Sequence, residues 1–129
     1  MTPWLAGWEW DCCGDDFGDG DDVVWQLLPV LPETQAWVER VFNPVISARL
    51  THQETHHDLP EAKLAQPTEG KVTAIESAFY IGAMDDNVVK PVHGSGFVEP
   101  RGAVAGFDPR ACEWPDGLHH EGYIVRLGR

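Results

Sequence analysis

Two adjacent cysteines, Cys12 and Cys13, are the residues of this 129-residue chain with the clearest chemical potential. Neighbouring side chains of an extended strand point to opposite faces, so the two thiols can share one metal ion only if Gly14 bends the chain after them. The usual Cys-x2-Cys spacing of zinc knuckles is absent, and zinc would require two further sulfur or imidazole ligands. Buried structural thiols are the alternative interpretation, because cysteine is among the residue types most often buried.

His56 and His57 are the imidazole ligands that complete this hypothesis. A zinc or thiol site of Cys12, Cys13, His56 and His57 requires that loops at strand ends bring the two pairs together. We expect structural rather than catalytic zinc, since no positioned general base accompanies the four residues. Exposed loop histidines are the simpler alternative.

The stretch from His52 to His56 is not a metalloprotease motif. Its glutamate, Glu54, stands two residues after the first histidine instead of one, so the helical geometry of His-Glu-x-x-His is not encoded. On a strand, His52 and His56 would lie about 13 Å apart, too far to share an ion. A hydrolase that uses Glu54 or Asp58 beside the histidines rests on residue type alone.

Other polar motifs are explained by local structure. The acidic residues 15–22 contain one copy of a calcium-binding repeat, which cannot stack, and they lack the ligand pattern of an EF-hand. Residues 93–96, His-Gly-Ser-Gly, lack the features of a phosphate loop or a nucleophile elbow, and they predict a turn. Asp116, His119, His120 and Glu121 form a polar approach to the last strand.

Composition predicts a globular protein in one domain, residues 1–129. Hydrophobic residues make up 43% of the chain and include six tryptophans, which excludes the signature of disorder despite a net charge of −12. The nine basic residues are scattered, which argues against a nucleic-acid partner. With no signal peptide, no membrane-spanning apolar run and too few cysteines for a disulfide framework, we expect a cytoplasmic location and no membrane partner.

The apolar periodicity predicts several short strands and one helix. Residues 33–42 read as the helix, because apolar side chains form one stripe that ends at Asn43-Pro44. Residues 56–69 read as a long loop, and residues 100–117 as a Pro/Gly-rich connection anchored by Phe107 and Trp114. The predicted strands are residues 4–10, 22–28, 45–55, 71–81, 88–92, 96–99 and 121–127.

This order of elements favours a mainly β fold, a small antiparallel barrel-like or strongly curved sheet with one short covering helix. In the predicted strand 45–55, Ile46, Ala48 and Leu50 point inward. One inner face of the sheet is expected to carry Trp8, Val23, Trp25, Trp37, Val41, Leu50, Val72, Ile75, Ile124 and Leu127.

Several separated motifs together resemble a bacterial, mainly actinobacterial, family of uncharacterised proteins, a domain of unknown function. The motifs are Trp4-x-x-Gly7-Trp8, Cys12-Cys13-Gly14-x-x-Phe17-x-x-Gly20-Asp21-x-Val23-x-Trp25-x-Leu27, His56-His57-x-Leu59-Pro60, Gly70-x-Val72-Thr73-Ala74-Ile75, Pro91-Val92-x-Gly94-Ser95-Gly96 and Gly122-Tyr123-x-Val125-x-Leu127. The family has no established activity, so the resemblance assigns no catalytic residue. It implies that the cysteine and histidine pairs occur together in one small domain.

We therefore expect a non-enzymatic binding or interaction module, because no complete catalytic constellation is present and small barrels commonly bind through their loops. Its partner is an unknown protein or small molecule. Self-association is consistent with free strand edges. The alternative function is a zinc or thiol site at Cys12, Cys13, His56 and His57.

Overall fold

The computed structural model of the chain describes residues 1–7, 10, 15–55, 64–104 and 117–128. Two helices lie in these ranges, α1 (Pro32–Val41) and α2 (Pro44–Arg49). The strands are β1 (Pro3–Ala6), β2 (Phe17–Gly18), β3 (Asp22–Pro29), β4 (His52–Glu54), β5 (Gln66–Asp85), β6 (Val88–Pro91), β7 (Phe97–Arg101), β8 (Ala103–Val104) and β9 (Leu118–Gly128).

Most strands form one large curved sheet in the order β3-β4-β1-β9-β5-β6, in which β7 also pairs with β5 and β3 also pairs with β5. Strands β2 and β8 form a separate two-stranded ribbon. The pairs are antiparallel except β1 and β4, which run parallel, so the sheet is mixed. The predicted mainly β, curved-sheet fold is confirmed, with one parallel pair that the sequence did not indicate.

Strand β5 is the longest element and the centre of the sheet. It begins at Gln66, inside the predicted loop 56–69, and it continues past Gly82 to Asp85. The loop prediction was therefore wrong at its C-terminal end, where residues 66–71 pair with β3. Pro67 is tolerated there because a strand edge can accommodate a residue without an N–H group.

Two β-bulges interrupt the ladder between β5 and β9. Thr73 is the extra residue on β5, and Glu121 is the extra residue on β9, between the pairs Ala78↔Gly122 and Phe79↔His120. A bulge changes which face the following side chains occupy. This is why Val72 and Ile75 lie in the same core cluster despite their odd spacing.

The sheet buries apolar side chains on both faces, rather than on the single predicted inner face. One cluster contains Leu5, Trp10, Phe17, Trp25, Leu27, Val72, Ile75, Val104, Tyr123, Val125 and Leu127. The second cluster, which includes residues of both helices, contains Trp4, Val38, Val41, Phe42, Ile46, Leu50, Ala78 and Ile124. Val23 packs against the first cluster and Trp37 against the second, whereas Trp8 lies outside the described residues. Of the predicted set, Ile124 and Leu127 thus belong to opposite faces.

Helix α1 agrees with the predicted helix 33–42, whereas the strand predicted over residues 45–55 is wrong in its first half. Residues 44–49 form α2, and only His52–Glu54 is a strand. The side chain of Asn43 accepts a hydrogen bond from the Ile46 N–H at 2.8 Å, and Pro44 occupies the first turn. These are strong helix-start signals, and they outweigh the alternation of apolar residues.

The packing of α2 follows helical spacing. Ile46 and the residue four positions later, Leu50, are buried, but Ala48, predicted to point inward, is exposed. Ser47 is also buried, and its hydroxyl donates to the carbonyl of Gln35 on α1. Arg49 forms an ion pair with Glu76 and so connects α2 to β5.

Candidate functional site

The four residues of the predicted zinc or thiol site lie outside the described residues: Cys12, Cys13, His56 and His57. Asp58, Phe107, Trp114 and Asp116 do so as well. In the ranges that the structure describes, no group of three or more His, Cys, Asp or Glu side chains is arranged to hold a metal ion. The predicted site therefore stays a prediction.

The acidic turn is held by its own side chains. The Gly18 N–H donates to the Asp21 carboxylate at 2.8 Å, and Gly20 has a positive φ of 91°. Backbone hydrogen bonds from Gly20 to Val72 and from Val72 to Asp21 fasten the turn to β5. This supports a structural role for the turn, as the sequence predicts.

The predicted turn at residues 93–96 is confirmed, and it fastens β6 and β7 to α1. The N–H groups of Gly94 and Gly96 donate to the carbonyls of Arg40 and Val41, at 2.9 and 2.8 Å. Terminal carbonyls of a helix need such partners from outside the helix. The Ser95 hydroxyl accepts from the Ile81 N–H and donates to the Val92 carbonyl, so it holds the turn against β5.

Strands β5 and β6 form a hairpin that extends beyond its neighbours. They are joined by Asp86 and Asn87, whose φ values of 50° and 64° are those of a two-residue type I′ turn. The ladder of β5 with β9 ends at Ile81, and its ladder with β7 ends at Phe79. All residues from 83 to 90 are exposed. The sequence predicted the second strand as residues 88–92, but not that the hairpin projects.

Exposed apolar side chains are concentrated at this hairpin. Of the ten large hydrophobic residues that are exposed in the described part of the chain, six lie on or beside it. Met84 is 67% exposed and Val88 is 56% exposed. We call these six residues the apolar hairpin surface: Ile81, Met84, Val88, Val89, Val92 and Phe97. Exposed apolar side chains concentrated at one place on a soluble protein commonly mark an interaction site.

Sequence reasoning missed this surface because residues 88–92 looked like an ordinary short strand. A signal was present, since Val88 and Val89 are consecutive apolar residues, whereas a strand with one face in water alternates apolar and polar residues. Two consecutive apolar residues are typical of a strand whose two faces are both in contact with other groups.

A partly buried group of titratable side chains lies at the base of the hairpin. The rings of Tyr80 and His119 stack at 5.3 Å, and Trp37 lies 6.1 Å from Tyr80. The His119 ring covers Gly82, where an added Cβ would lie 2.6 Å from the ring Nε2 atom. His119 and His120, predicted as part of a polar approach to the last strand, already belong to β9.

Glu121, the bulged residue of β9, has a large electrostatic perturbation. Burial raises the pKa of Glu121 from 4.5 to about 7. Burial, and then the charge of Glu121, raise the pKa of Tyr80. A carboxyl group that titrates near neutral pH is a feature of functional sites, and the sequence could not reveal it because the bulge depends on pairing with β5.

Glu121 should make stability depend on pH. Because its folded pKa lies above its usual value, the folded state binds the proton more tightly, and stability falls as pH rises from about 4.5 to 7. We expect Glu121→Gln to be about 1–2 kcal/mol more stable than the wild type at pH 8, an amount reduced by the partial exposure of the group. Urea unfolding at pH 4 and pH 8 measures this difference, which should nearly vanish at pH 4, below the usual pKa of the carboxyl group.

The exposed Glu69 on β5 provides the control for this measurement. Glu69→Gln should leave the dependence of unfolding on pH unchanged. An identical pH profile for Glu121→Gln and the wild type would contradict the raised pKa.

An open groove lies at the opposite end of β5 from the hairpin. It is lined by Asp22, Val23, Val24, Glu69, Gly70 and Lys71. Lys71 pairs with Asp22 at 3.4 Å, so these opposite charges already neutralise each other. The groove is remote from Glu121, which lies near the pair Ala78↔Gly122, seven residues further along β5.

Comparison with known proteins identifies the family of this chain but assigns no activity to it. A family model described as a family of unknown function (DUF6578) matches residues 1–129. No curated protein and no solved structure matches the chain. In the described part of the chain, neither helix has the length and apolar character needed to cross a membrane.

Proposed function

We propose that the chain, which belongs to a family of unknown function, is a non-enzymatic module that binds a protein partner through the apolar hairpin surface. The observation that carries this proposal is the concentration of exposed apolar side chains on one projecting hairpin. Complete burial of a valine or methionine side chain contributes about 1.5–3 kcal/mol. Several such residues can offset the roughly 4–15 kcal/mol that association costs.

The hairpin is also held in a fixed conformation before it binds. The type I′ turn at Asp86-Asn87 closes it, and Lys90 forms an ion pair with Asp85 at 3.0 Å across the two strands. At its base, Ser95 connects the loop after β6 to Ile81. A rigid binding element loses less conformational entropy on association, which favours affinity.

The charge of the hairpin and of the chain favours a basic partner. Asp85 and Asp86 are exposed beside the apolar side chains, and the whole chain carries a net charge of −12. Complementary charges steer encounter, whereas two copies of this chain repel each other. The proposed partner therefore has an apolar surface bordered by lysine or arginine residues.

Affinity capture from an extract of cells that contain the protein tests this function, with the wild type, Met84→Asp and Val24→Asp as matched baits. Val24 is 61% exposed but lies on β3, paired with the opposite end of β5 from the hairpin. We expect Met84→Asp to retain at most about a tenth of the partner bound by the wild type, since one lost apolar contact is worth about 1.5 kcal/mol or more. Val24→Asp should retain it fully.

Loss of the partner from both variants, or from neither, would contradict the proposal, as would the absence of any specific partner. Circular dichroism and thermal unfolding of the three baits establish that each is folded. Exposed positions are chosen because surface substitutions usually change stability by about 0.5 kcal/mol or less.

A second candidate function is a zinc or thiol site at Cys12, Cys13, His56 and His57, and one observation favours it. Trp10 and Thr55, the last described residues before the two pairs, are both held by β3. The rings of Trp10 and Trp25 are 5.3 Å apart, and the Thr55 N–H donates to the Gln26 carbonyl at 3.1 Å. Trp25 and Gln26 are adjacent in sequence, so both segments start from one place on the sheet.

Chain reach permits this site. Cys12 follows Trp10 by two residues and His56 follows Thr55 by one, and a residue spans at most about 3.6 Å. The parallel pairing of β1 and β4 also directs both strands toward the same end of the sheet. Two thiolates and two imidazoles are a complete ligand set for structural zinc.

A further inference from the structure

We infer that the hairpin of β5 and β6 inserts into an apolar cleft of its protein partner, which contacts both faces of the hairpin. This inference rests on the function proposed above and specifies the shape of the partner. The alternative is a flat partner surface that covers one face and leaves the other in water.

One face of the hairpin, the Met84 face, consists of Met84 and Val89. These residues are directly opposite each other in the ladder. A Cβ added at Gly82 would lie 2.6 Å from Val89 Cγ1, which places Val89 on the side of Gly82. Met84 lies two residues after Gly82, and in a strand residues two apart share a face. Both Met84 and Val89 are exposed.

The apolar residues of the other face, which we call the Val88 face, are Ile81, Val88, Val92 and Phe97, and the ion pair of Asp85 and Lys90 lies on the same face. Val88 pairs with Asp85, and Val92 donates its N–H to the Ile81 carbonyl at 2.8 Å, so both lie opposite odd-numbered residues of β5. Phe97 stacks on Phe79 at 5.4 Å, and Phe79 shares the face of Ile81. All four apolar residues of the Val88 face are exposed.

Two exposed apolar faces distinguish this hairpin from the edge of an ordinary sheet. A strand with one face in water alternates apolar and polar side chains, whereas a strand covered on both faces carries consecutive apolar residues. Val88 and Val89 are such consecutive residues, on opposite faces of β6. A flat partner would leave one of these valines in water, but a cleft covers both.

Addition of a partner strand to the free edge of β6 is disfavoured. Alternate residues of an edge strand direct their N–H groups outward. Because Val92 bonds inward to Ile81, the outward residues of β6 are Val89 and Pro91. Proline has no N–H group, so β6 presents only one outward donor. Recognition must therefore depend on the side chains of the two faces.

The charges at the tip of the hairpin indicate the border of the cleft. Asp85 and Asp86 are exposed at the turn, and Lys90 already pairs with Asp85. A cleft lined with apolar side chains and bordered by basic ones complements this tip. The same carboxylates, together with the net charge of −12, oppose insertion into a bilayer.

Val88 and Val89 provide a matched pair of variants, because they are adjacent, 56% and 44% exposed, and on opposite faces. The probe is the protein that the wild-type bait retains in the capture experiment, with Val24→Asp as the control. If a cleft covers both faces, Val88→Asp and Val89→Asp should each reduce retention at least about tenfold, as burial of each valine contributes about 1.5 kcal/mol or more. A photo-reactive amino acid at position 88 or at position 89 should cross-link to the same partner.

Loss of retention in only one of the two variants would overturn the cleft and leave the proposed function intact. Full retention in both variants would contradict the cleft and the apolar hairpin surface alike. Cross-linking to a second copy of the chain, or sedimentation of the wild type with phosphatidylcholine vesicles, would replace the proposed partner with a dimer or a membrane and overturn the inference.

Discussion

The Gly122→Ala variant is expected to lose about 3 kcal/mol or more of its free energy of unfolding, because overpacking against a rigid backbone leaves no low-cost relaxation. Gly122 lies on β9 opposite Ala6 of β1. A Cβ at this position would overlap the Leu5 carbonyl oxygen and lie 3.1 Å from the Gly7 nitrogen. Leu5 and Tyr123, which flank this contact, are completely buried, so neither strand can move away without disturbing the core.

Gly102→Ala is the control for this substitution. No atom of the described residues lies within 4 Å of a Cβ built at Gly102, so the added methyl group meets no neighbour among them. Urea unfolding of the wild type and the two variants gives the comparison. Equal stability of Gly122→Ala and Gly102→Ala would contradict the close approach of β9 to β1 at Gly122.

If the zinc site proposed above forms, removal of zinc is expected to cause the second large loss of stability. The protein should purify with one zinc ion per chain, and Cys12→Ser or His56→Ala should remove most of it. Structural zinc contributes an apparent binding free energy of about 10–16 kcal/mol in zinc-finger peptides, so chelation should destabilise the chain by several kcal/mol. Elemental analysis and thermal unfolding with and without a chelator measure both effects.

The third cysteine of the chain provides a matched control. Cys112→Ser removes one thiol as Cys12→Ser does, but it leaves the four predicted ligands in place. It should keep the full zinc content. Metal-free wild-type protein with a cooperative unfolding transition, or Cys12→Ser with unchanged zinc content, would rule out the site.

The sequence predicts those elements whose periodicity and end signals agree. Strand β3 and helix α1 were predicted within one residue, because each combines a regular apolar pattern with Pro at its ends, whereas β5 extends five residues before and four residues beyond the predicted strand 71–81. Residues 45–55 combine conflicting signals. Their apolar alternation favours a strand, but the Asn43 cap and Pro44 favour a helix, and the local hydrogen bond of the cap prevailed.

Burial on a particular face was harder to predict than the elements themselves. The bulges at Thr73 and Glu121 exist only because β5 and β9 pair in one register, and no local pattern specifies them. The helices cover the second face of the sheet, so Ile124 and Leu127 are both buried but on opposite faces. The exposure of Val88 and Val89 likewise depends on which strands lie beside the hairpin. The sequence alone does not specify these neighbouring strands.

Hydrogen exchange of the complex between the chain and its captured partner is the most direct test of the apolar hairpin surface. The backbone N–H groups of residues 82–90 and of Val92 should exchange more slowly in the complex than in the free chain, because the partner excludes water from both faces of the hairpin. The amides near Val24, at the opposite end of β5, should exchange at the same rate in both. Protection near Val24 with no change at the hairpin would contradict the proposed function.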